Sequence, residues 1–194
     1  MNRALVLRRE RPGDREPTRL LHDLAFGVPD GAEHSLETRI LDRLRADGDV
    51  LDALTLVADL HGAVVGHLVC SRATMGEGRS IALGPIAVHP DHQGQGIGSA
   101  LVAAVLVTAD LGGEPSVVLL GDPGWYAHFG FQTAASHGIG SPGPWDERFF
   151  QVRLLQAWQP ELAGAFRYAP AFDLDIEQAE RAAQAEQAAQ AGQA

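Results

Sequence analysis

Hydrophobic and polar residues alternate between two periods along the chain, and the changes of period mark out its elements. A short apolar run at residues 4–7 reads as a first strand, broken by the polar stretch Arg8-Arg9-Glu10-Arg11-Pro12-Gly13-Asp14. Asp14 then stands where a helix cap belongs, ahead of Glu16, and Leu20, Leu21, Leu24 and Ala25 recur at helical spacing. A second helix is expected over residues 33–46, with Ile40, Leu41 and Leu44 on one side and Arg39, Asp42 and Arg43 on the other, stopped by Gly48. Strand-like runs follow at 54–58 and 64–71, joined through Asp59-Leu60-His61-Gly62 as a hairpin. Residues 75–78 read as a loop and 81–88 as a fourth strand. Gly84-Pro85 lies inside that strand, and a proline cannot donate to a ladder, so the strand should bulge or leave a neighbour there.

The clearest helix is predicted over 97–111, where Ile97, Leu101 and Val105 form one stripe with Val102 and Leu106 beside it. A buried strand at 116–120, a helical turn at 125–129, a Gly/Pro-rich loop at 138–144 and a late strand at 149–155 complete the order. It describes a mixed α/β arrangement around a single sheet. From 176 to 194 the chain is mostly Ala, Gln and Glu with no apolar stripe, the composition of an exposed or frayed helix. The expected organisation is one domain over 1–172 and a tail over 173–194, either exposed helix or disordered.

Charge and composition narrow the chemistry. The chain has 194 residues, 15 basic against 25 acidic, for a net charge of -10. Every basic residue is arginine, which removes Schiff-base chemistry and the Walker A lysine. An acidic chain repels phosphate backbones, so nucleic acid is not an expected partner. One cysteine, Cys70, permits neither an intrachain disulfide nor a cysteine zinc cluster. No apolar run is long enough to span a membrane, the N-terminus lacks a signal-peptide core, and a cytoplasmic protein is expected.

The strongest chemical signal is His89-Pro90-Asp91-His92-Gln93-Gly94-Gln95-Gly96-Ile97-Gly98-Ser99, between a strand and the long helix. Glycines at a helix entrance let the main chain approach a ligand. The first helical amides lack internal partners and carry the positive end of the dipole. A pyrophosphate can be held there without a basic side chain. Walker A fails for want of Gly-Lys-Ser/Thr. A dinucleotide fingerprint starting at Gly94 would meet Ser99 at its third glycine, and the region about twenty residues on, Val117-Val118-Leu119, is apolar rather than acidic. What remains is Gln-x-x-Gly-x-Gly, met by Gln93, Gly96 and Gly98, or a plain glycine turn that starts a helix.

After the fifth strand comes Gly121-Asp122-Pro123-Gly124-Trp125-Tyr126-Ala127-His128-Phe129-Gly130-Phe131. Gln-x-x-Gly-x-Gly at a helix start, then a strand, then Tyr-x-x-x-Gly-Phe resembles the GNAT superfamily of acyl-CoA-dependent N-acyltransferases over about residues 5–155. The segments 8–14 and 166–172 are similar to its YhbS-like branch. The resemblance implies a mostly antiparallel central sheet with a V-shaped splay between strands 4 and 5, helices on both faces, and acetyl-CoA as cosubstrate without a metal. Ile86, Ala87 and Val88 on the splayed strand match positions that meet the thioester and the pantetheine arm. Gln93, Gly94, Gln95, Gly96, Ile97, Gly98 and Ser99 match the pyrophosphate loop. Tyr126 matches the usual general acid, and its phenol, with an ordinary pKa of about 10, lies near the roughly 8.5 of a thiol. The fourth-strand position that often carries a glutamate base corresponds to Ala82, which leaves Glu77, His67 and His89 as candidates. The expected partners are acetyl-CoA and an amine-bearing small molecule or peptide, with room for a homodimer. A non-catalytic acyl-CoA binder and, more distantly, a nucleotide-binding oxidoreductase stand as alternatives.

His89 and His92 lack a third ligand, so no metal site is expected. His61 is read as solvated, Cys70 as core, and Trp145 and Trp158 as packing residues or walls of an acceptor cleft. Arg72 and Arg79 are read as solvated or as contacts to a cofactor phosphate or an acidic substrate.

Overall fold

The computed structural model describes residues 5–177. Its strands are β1 (Leu5–Arg9), β2 (Leu56–Leu60), β3 (Ala63–Met75), β4 (Gly78–Val88), β5 (Ser116–Leu120), β6 (Gln132–Thr133), β7 (Phe150–Leu154) and β8 (Phe166–Arg167). They form one sheet in the order β1-β2-β3-β4-β5-β7-β6, with β8 added on β3. All pairings are antiparallel except β4 with β5, which is parallel.

That parallel contact is brief. Only Ile81 with Val117 and Ala82 with Val118 are in register; beyond Leu83 the strands part. On the other side of β4 the pairing to β3 shifts register between Leu68 and Cys70, opposite Gly84-Pro85, whose peptide bond is cis. The bulge expected at the proline and the splay implied by the resemblance are therefore both present.

Helices cover both faces. α3 (Ile97–Leu111) lies on one, its Ile97, Leu101, Val105 and Ala109 packed on Ala58, Leu68, Ile81, Leu83, Val117 and Leu119. α1 (Arg15–Phe26) and α2 (Leu36–Asp47) lie on the other, where Ile40, Leu41 and Leu44 meet Val69 of β3. α2 starts because Ser35 accepts a hydrogen bond from the Thr38 amide at 3.2 Å, and it stops at Gly48 in the left-handed region.

The N-terminal segment departs from the sequence reading in two ways. β1 runs on through Arg8 and Arg9, because Arg8 is neutralised rather than solvated. Its guanidinium donates to Asp14 at 2.6 and 2.9 Å and to Asp59 at 3.0 Å. Asp14 precedes α1 but does not cap it; its carboxylate accepts from Arg8 and from the Arg11 amide. The buried stripe of α1 is also not the leucine row. Leu20 and Leu24 are exposed, while Thr18, Leu21 and His22 are buried. The polar residues turn inward because partners await them. His22 Nε2 lies 2.9 Å from His67 Nδ1, and Thr18 shares a hydrogen-bonded group with Glu10 and Arg45.

The hairpin between β3 and β4 is tighter than the expected loop, with Gly76 and Glu77 between the strand ends. Residues 170–172 form a 3-10 turn, and 173–177 are helical, with Leu174 packed beside Leu36 and Phe172. The tail expected from 173 thus begins docked; its residues 178–194 lie outside the described ones.

Candidate active site

The glycine loop owes its shape to two residues in the left-handed region, Gly94 at φ 70° and Gly96 at φ 82°. With a 3-10 turn at Pro90–His92 behind it, the loop carries the chain from the end of β4 into α3. Two side chains staple it from below: Gln93 Nε2 donates to the Val88 carbonyl at 3.1 Å, and Gln95 Nε2 to that of Asp91 at 3.1 Å. Among the described residues the main-chain amides of 94 and 96–99 find no protein acceptor; the first internal bond of the helix runs from Ala100 to Gly96 at 2.9 Å. Five of these residues, Gly94, Gly96, Ile97, Gly98 and Ser99, line one open space at the positive end of a fifteen-residue helix.

That space is a cavity of about 740 Å³ lined by Ile86, Val88, His92, Gln93, Gly94, Gly96, Ile97, Gly98, Ser99, Asp122 and Trp125. Its second wall is the open edge of β4. His89 donates to Val65 at 2.9 Å, which makes that pair a hydrogen-bonded one, and strict alternation makes His67 with Ala87 the next. The main-chain groups of Ile86 and Val88 consequently point away from β3, into the gap where β5 has left. Ala87 differs from its two neighbours: its main chain is spent on His67, its side chain is buried, and it lines neither cavity described here.

Tyr126 closes α4 (Pro123–Tyr126), whose start is capped by Asp122 accepting from the Gly124 amide at 3.0 Å. Only 7% of Tyr126 is exposed. Its ring packs edge-on against Trp125 at 4.6 Å and Phe131 at 5.5 Å between centroids. The Phe131 amide returns to the Tyr126 carbonyl, so the Tyr-x-x-x-Gly-Phe spacing closes one turn of chain that fixes the ring. Gly121 leaves room for it. A Cβ there would stand 2.9 Å from Tyr126 Cδ2 and nearer still to Cε2. Burial pushes the phenol up to about 12, so it stays protonated at any ordinary pH, further from a free thiol than its unperturbed value suggests.

Tyr126 also belongs to a second cavity, of about 360 Å³, on the other side of the splay. There it joins Phe26, Leu36, Glu37, Ile40, Leu83, Gly84, Pro85, Ile86, Leu120, Tyr168, Phe172 and Asp175. Ile86 lines both cavities.

The remaining candidates fall elsewhere. Glu77 sits in the exposed β3–β4 turn, His67 is fully buried against His22, and His89 accepts from the Asp91 amide. None of the three lines either cavity. Arg72 donates twice to Glu114, at 3.0 and 2.9 Å, and Arg79 lies 3.4 Å from the same carboxylate, beyond the far end of the parallel pairing. Cys70 is core, its thiol pushed up by burial. His61 is exposed in the β2–β3 turn. Trp158 packs on the core, and Trp145 meets Tyr168 without lining the cavity. Among the described residues no group of three or more His, Cys, Asp or Glu could hold a metal ion, and no helix is long and apolar enough to cross a membrane. Sequence reasoning missed Trp125, Asp122, Gly121, Glu37 and Asp175. Gly121, Asp122 and Trp125 lie inside the quoted motif, whereas Glu37 and Asp175 carried no local signal.

Residues 52–133 match the model of an acetyltransferase (GNAT) domain. The chain is 36% identical over 126 residues to the uncharacterized N-acetyltransferase YhbS of Escherichia coli K12, spanning 63% of this chain and 74% of that one. It is 33% identical over 164 residues to the uncharacterized N-acetyltransferase YjhQ of the same organism, spanning 80% and 87%. The fold superposes on the crystal structure of E. coli YhbS in complex with CoA with a TM-score of 0.78 at 28% identity, covering 89% of this chain and 94% of that one. It superposes on a Brucella melitensis GNAT acetyltransferase in complex with acetyl-CoA with a TM-score of 0.71 at 31% identity, covering 89% and 100%.

Proposed function

The chain belongs to the GNAT family of N-acetyltransferases, and from that premise we propose that it moves an acetyl group from acetyl-CoA to a primary amine by direct attack in a ternary complex. The observation that carries this reading is the set of unpartnered amides at residues 94 and 96–99 beside the open edge of β4, with Tyr126 across the gap. The diphosphate of the cosubstrate is assigned to Gln93, Gly94, Gln95, Gly96, Ile97, Gly98 and Ser99. Main-chain donors and a helix dipole do there what lysine does elsewhere, which suits a chain without lysine. The pantetheine arm and thioester are assigned to the outward main-chain groups of Ile86 and Val88. A β4 amide would meet the oxyanion as it develops.

In the transfer the amine nitrogen bonds to the acetyl carbon, the carbon–sulfur bond breaks, and Tyr126 gives its proton to the departing sulfur. The nitrogen sheds two protons overall: one restores the phenol and one leaves to water. A phenol at about 12 is mismatched to a solvated thiol, but a thiolate formed in the same dry gap is raised by the same desolvation, which narrows the difference.

Calorimetry with coenzyme A, followed by thiol release from acetyl-CoA across an amine panel, tests the reading. We expect micromolar binding and amine-dependent release. Binding without release for any amine would leave a cofactor-binding protein instead, and no binding at all would remove the assignment of the loop. Gly96→Val forces a β-branched side chain into the left-handed region. It is expected to weaken coenzyme A at least tenfold in the same titration while the thermal midpoint shifts by only a few degrees. Gly121→Ala is expected to displace the Tyr126 ring. It should lower kcat by roughly tenfold, as loss of positioning does, with the coenzyme A affinity unchanged.

A further inference from the structure

We propose that the smaller cavity, across the splay from the glycine loop, takes the primary ammonium of an acceptor with an apolar or aromatic body and no carboxylate, held between Glu37 and Asp175. This deepens the acetyl-transfer reading and rests on it.

The two carboxylates come from separate parts of the chain, Glu37 from the first turn of α2 and Asp175 from the helical residues 173–177, yet both line this cavity. Burial raises the Glu37 carboxyl, a hydrogen bond from its own backbone amide offsets part of this, and the charge of Asp175 raises it further; burial likewise raises Asp175. No arginine or histidine lines the cavity, and among the described residues neither carboxylate has an ion-pair partner. Two half-buried negative charges that repel each other are a cost that a cation entering between them removes.

The rest of the wall tells what the cation is carried on. Phe26, Leu36, Ile40, Tyr168 and Phe172 present apolar and aromatic surface, suited to a hydrocarbon body and to a cation over a ring. The volume, about 360 Å³, is at the small end of ligand sites. Tyr126, nine-tenths buried, lines the same cavity, and its hydroxyl has no hydrogen-bond partner among the described residues. An amine seated there adjoins both the proton donor and Ile86, where the larger cavity begins. One ammonium proton passes to the carboxylate pair and on to water, and the free nitrogen then attacks. An amino acid would bring a third negative charge to the same place and is disfavoured.

The test uses the full-length protein in complex with coenzyme A and three probes of one shape: 2-phenylethylamine, phenylalanine and 2-phenylethanol, with hexylamine as a non-aromatic control. Calorimetry should show at least one of the two amines binding, with phenylalanine and 2-phenylethanol at least tenfold weaker than 2-phenylethylamine. Glu37→Gln should raise the KM for 2-phenylethylamine at least tenfold, and Asp175→Asn in the same direction, with coenzyme A affinity unchanged. If Glu37 merely favours the start of α2, its variant loses thermal stability and leaves the amine KM alone, which overturns the proposal. So do phenylalanine binding as tightly as 2-phenylethylamine, or neither amine binding. If the amines bind as expected but no thiol is released, the cavity assignment stands and the acetyl-transfer reading falls.

Discussion

Tyr126→Phe is expected to lower kcat roughly 100-fold or more, in the range of a lost general acid, while coenzyme A binds within about twofold of the wild type. The variant removes one oxygen and keeps the ring that packs on Trp125 and Phe131, so the fold and the larger cavity should survive. The pH profile adds a second readout. Since burial holds the phenol at about 12, the wild-type rate should show no alkaline fall attributable to this group below about pH 11. Single-turnover thiol release over that pH range decides the matter. An unchanged rate in the phenylalanine variant would transfer the proton donation to solvent and leave Tyr126 as packing.

The second large effect concerns stability in mild acid. His22 and His67 are both fully buried and share one hydrogen bond of 2.9 Å, which requires an unprotonated nitrogen in the pair. Their surroundings offer little to a second positive charge. Arg45 of α2 opposes it, Asp23 of α1 weakly favours it, and Glu10, 3.9 Å from His67 Nε2, is already bound by Arg45. Burial first, then Arg45, pushes His22 down to about 3, and burial with His22 and Arg45 pushes His67 well below its usual value. Both imidazoles are neutral in the folded and unfolded chains above about pH 6.5, so nothing is lost there. Below it the unfolded chain binds two protons that the folded chain refuses, and stability falls until the folded values are reached. Each histidine contributes about 1.4 kcal/mol per pH unit, roughly 5 kcal/mol for the pair between pH 6.5 and 4.5. That is a large part of an ordinary folding free energy of about 5–15 kcal/mol. Asp14 and Asp23, whose carboxyls are held low by their hydrogen bonds against the opposing effect of burial, act only below about pH 4 and do not confuse the window. Urea midpoints at pH 7.5, 6 and 5 should drop steadily. In His22→Gln, where an amide replaces one titrating ring, the drop should halve. A flat wild-type curve over that range would refute the account.

What could be read from the chain beforehand follows a physical line. α3 and β5 have the bounds expected of them because they are apolar almost throughout and sit at the middle of the core, where periodicity and burial agree. β1 could not be followed past Leu7, since what keeps Arg8 in a strand is Asp59, distant in sequence. The inward face of α1 was misread for the same reason: His22 is interior only because His67 meets it from β3. β6 and β8 have two residues each and depend wholly on their neighbours. At the candidate site, the turn at Gly94 and Gly96 and the closed loop after Tyr126 were legible because their geometry is local. Gly121 was not, because its role is a distance in space. Ala87 looked equivalent to Ile86 and Val88 until the β3 register separated inward from outward main-chain groups.

The isolated place of Ile86 has a bearing on what kind of acyl group fits. Since Ile86 alone is common to the linings of the two chambers, the proposed reading brings donor and acceptor together at this residue. A two-carbon acyl unit needs only to reach the threshold to be met from the other side. A longer one would have to lodge its chain where the proposed amine would place its own body. On that reading donor length and acceptor bulk compete for one volume, each gained at the expense of the other.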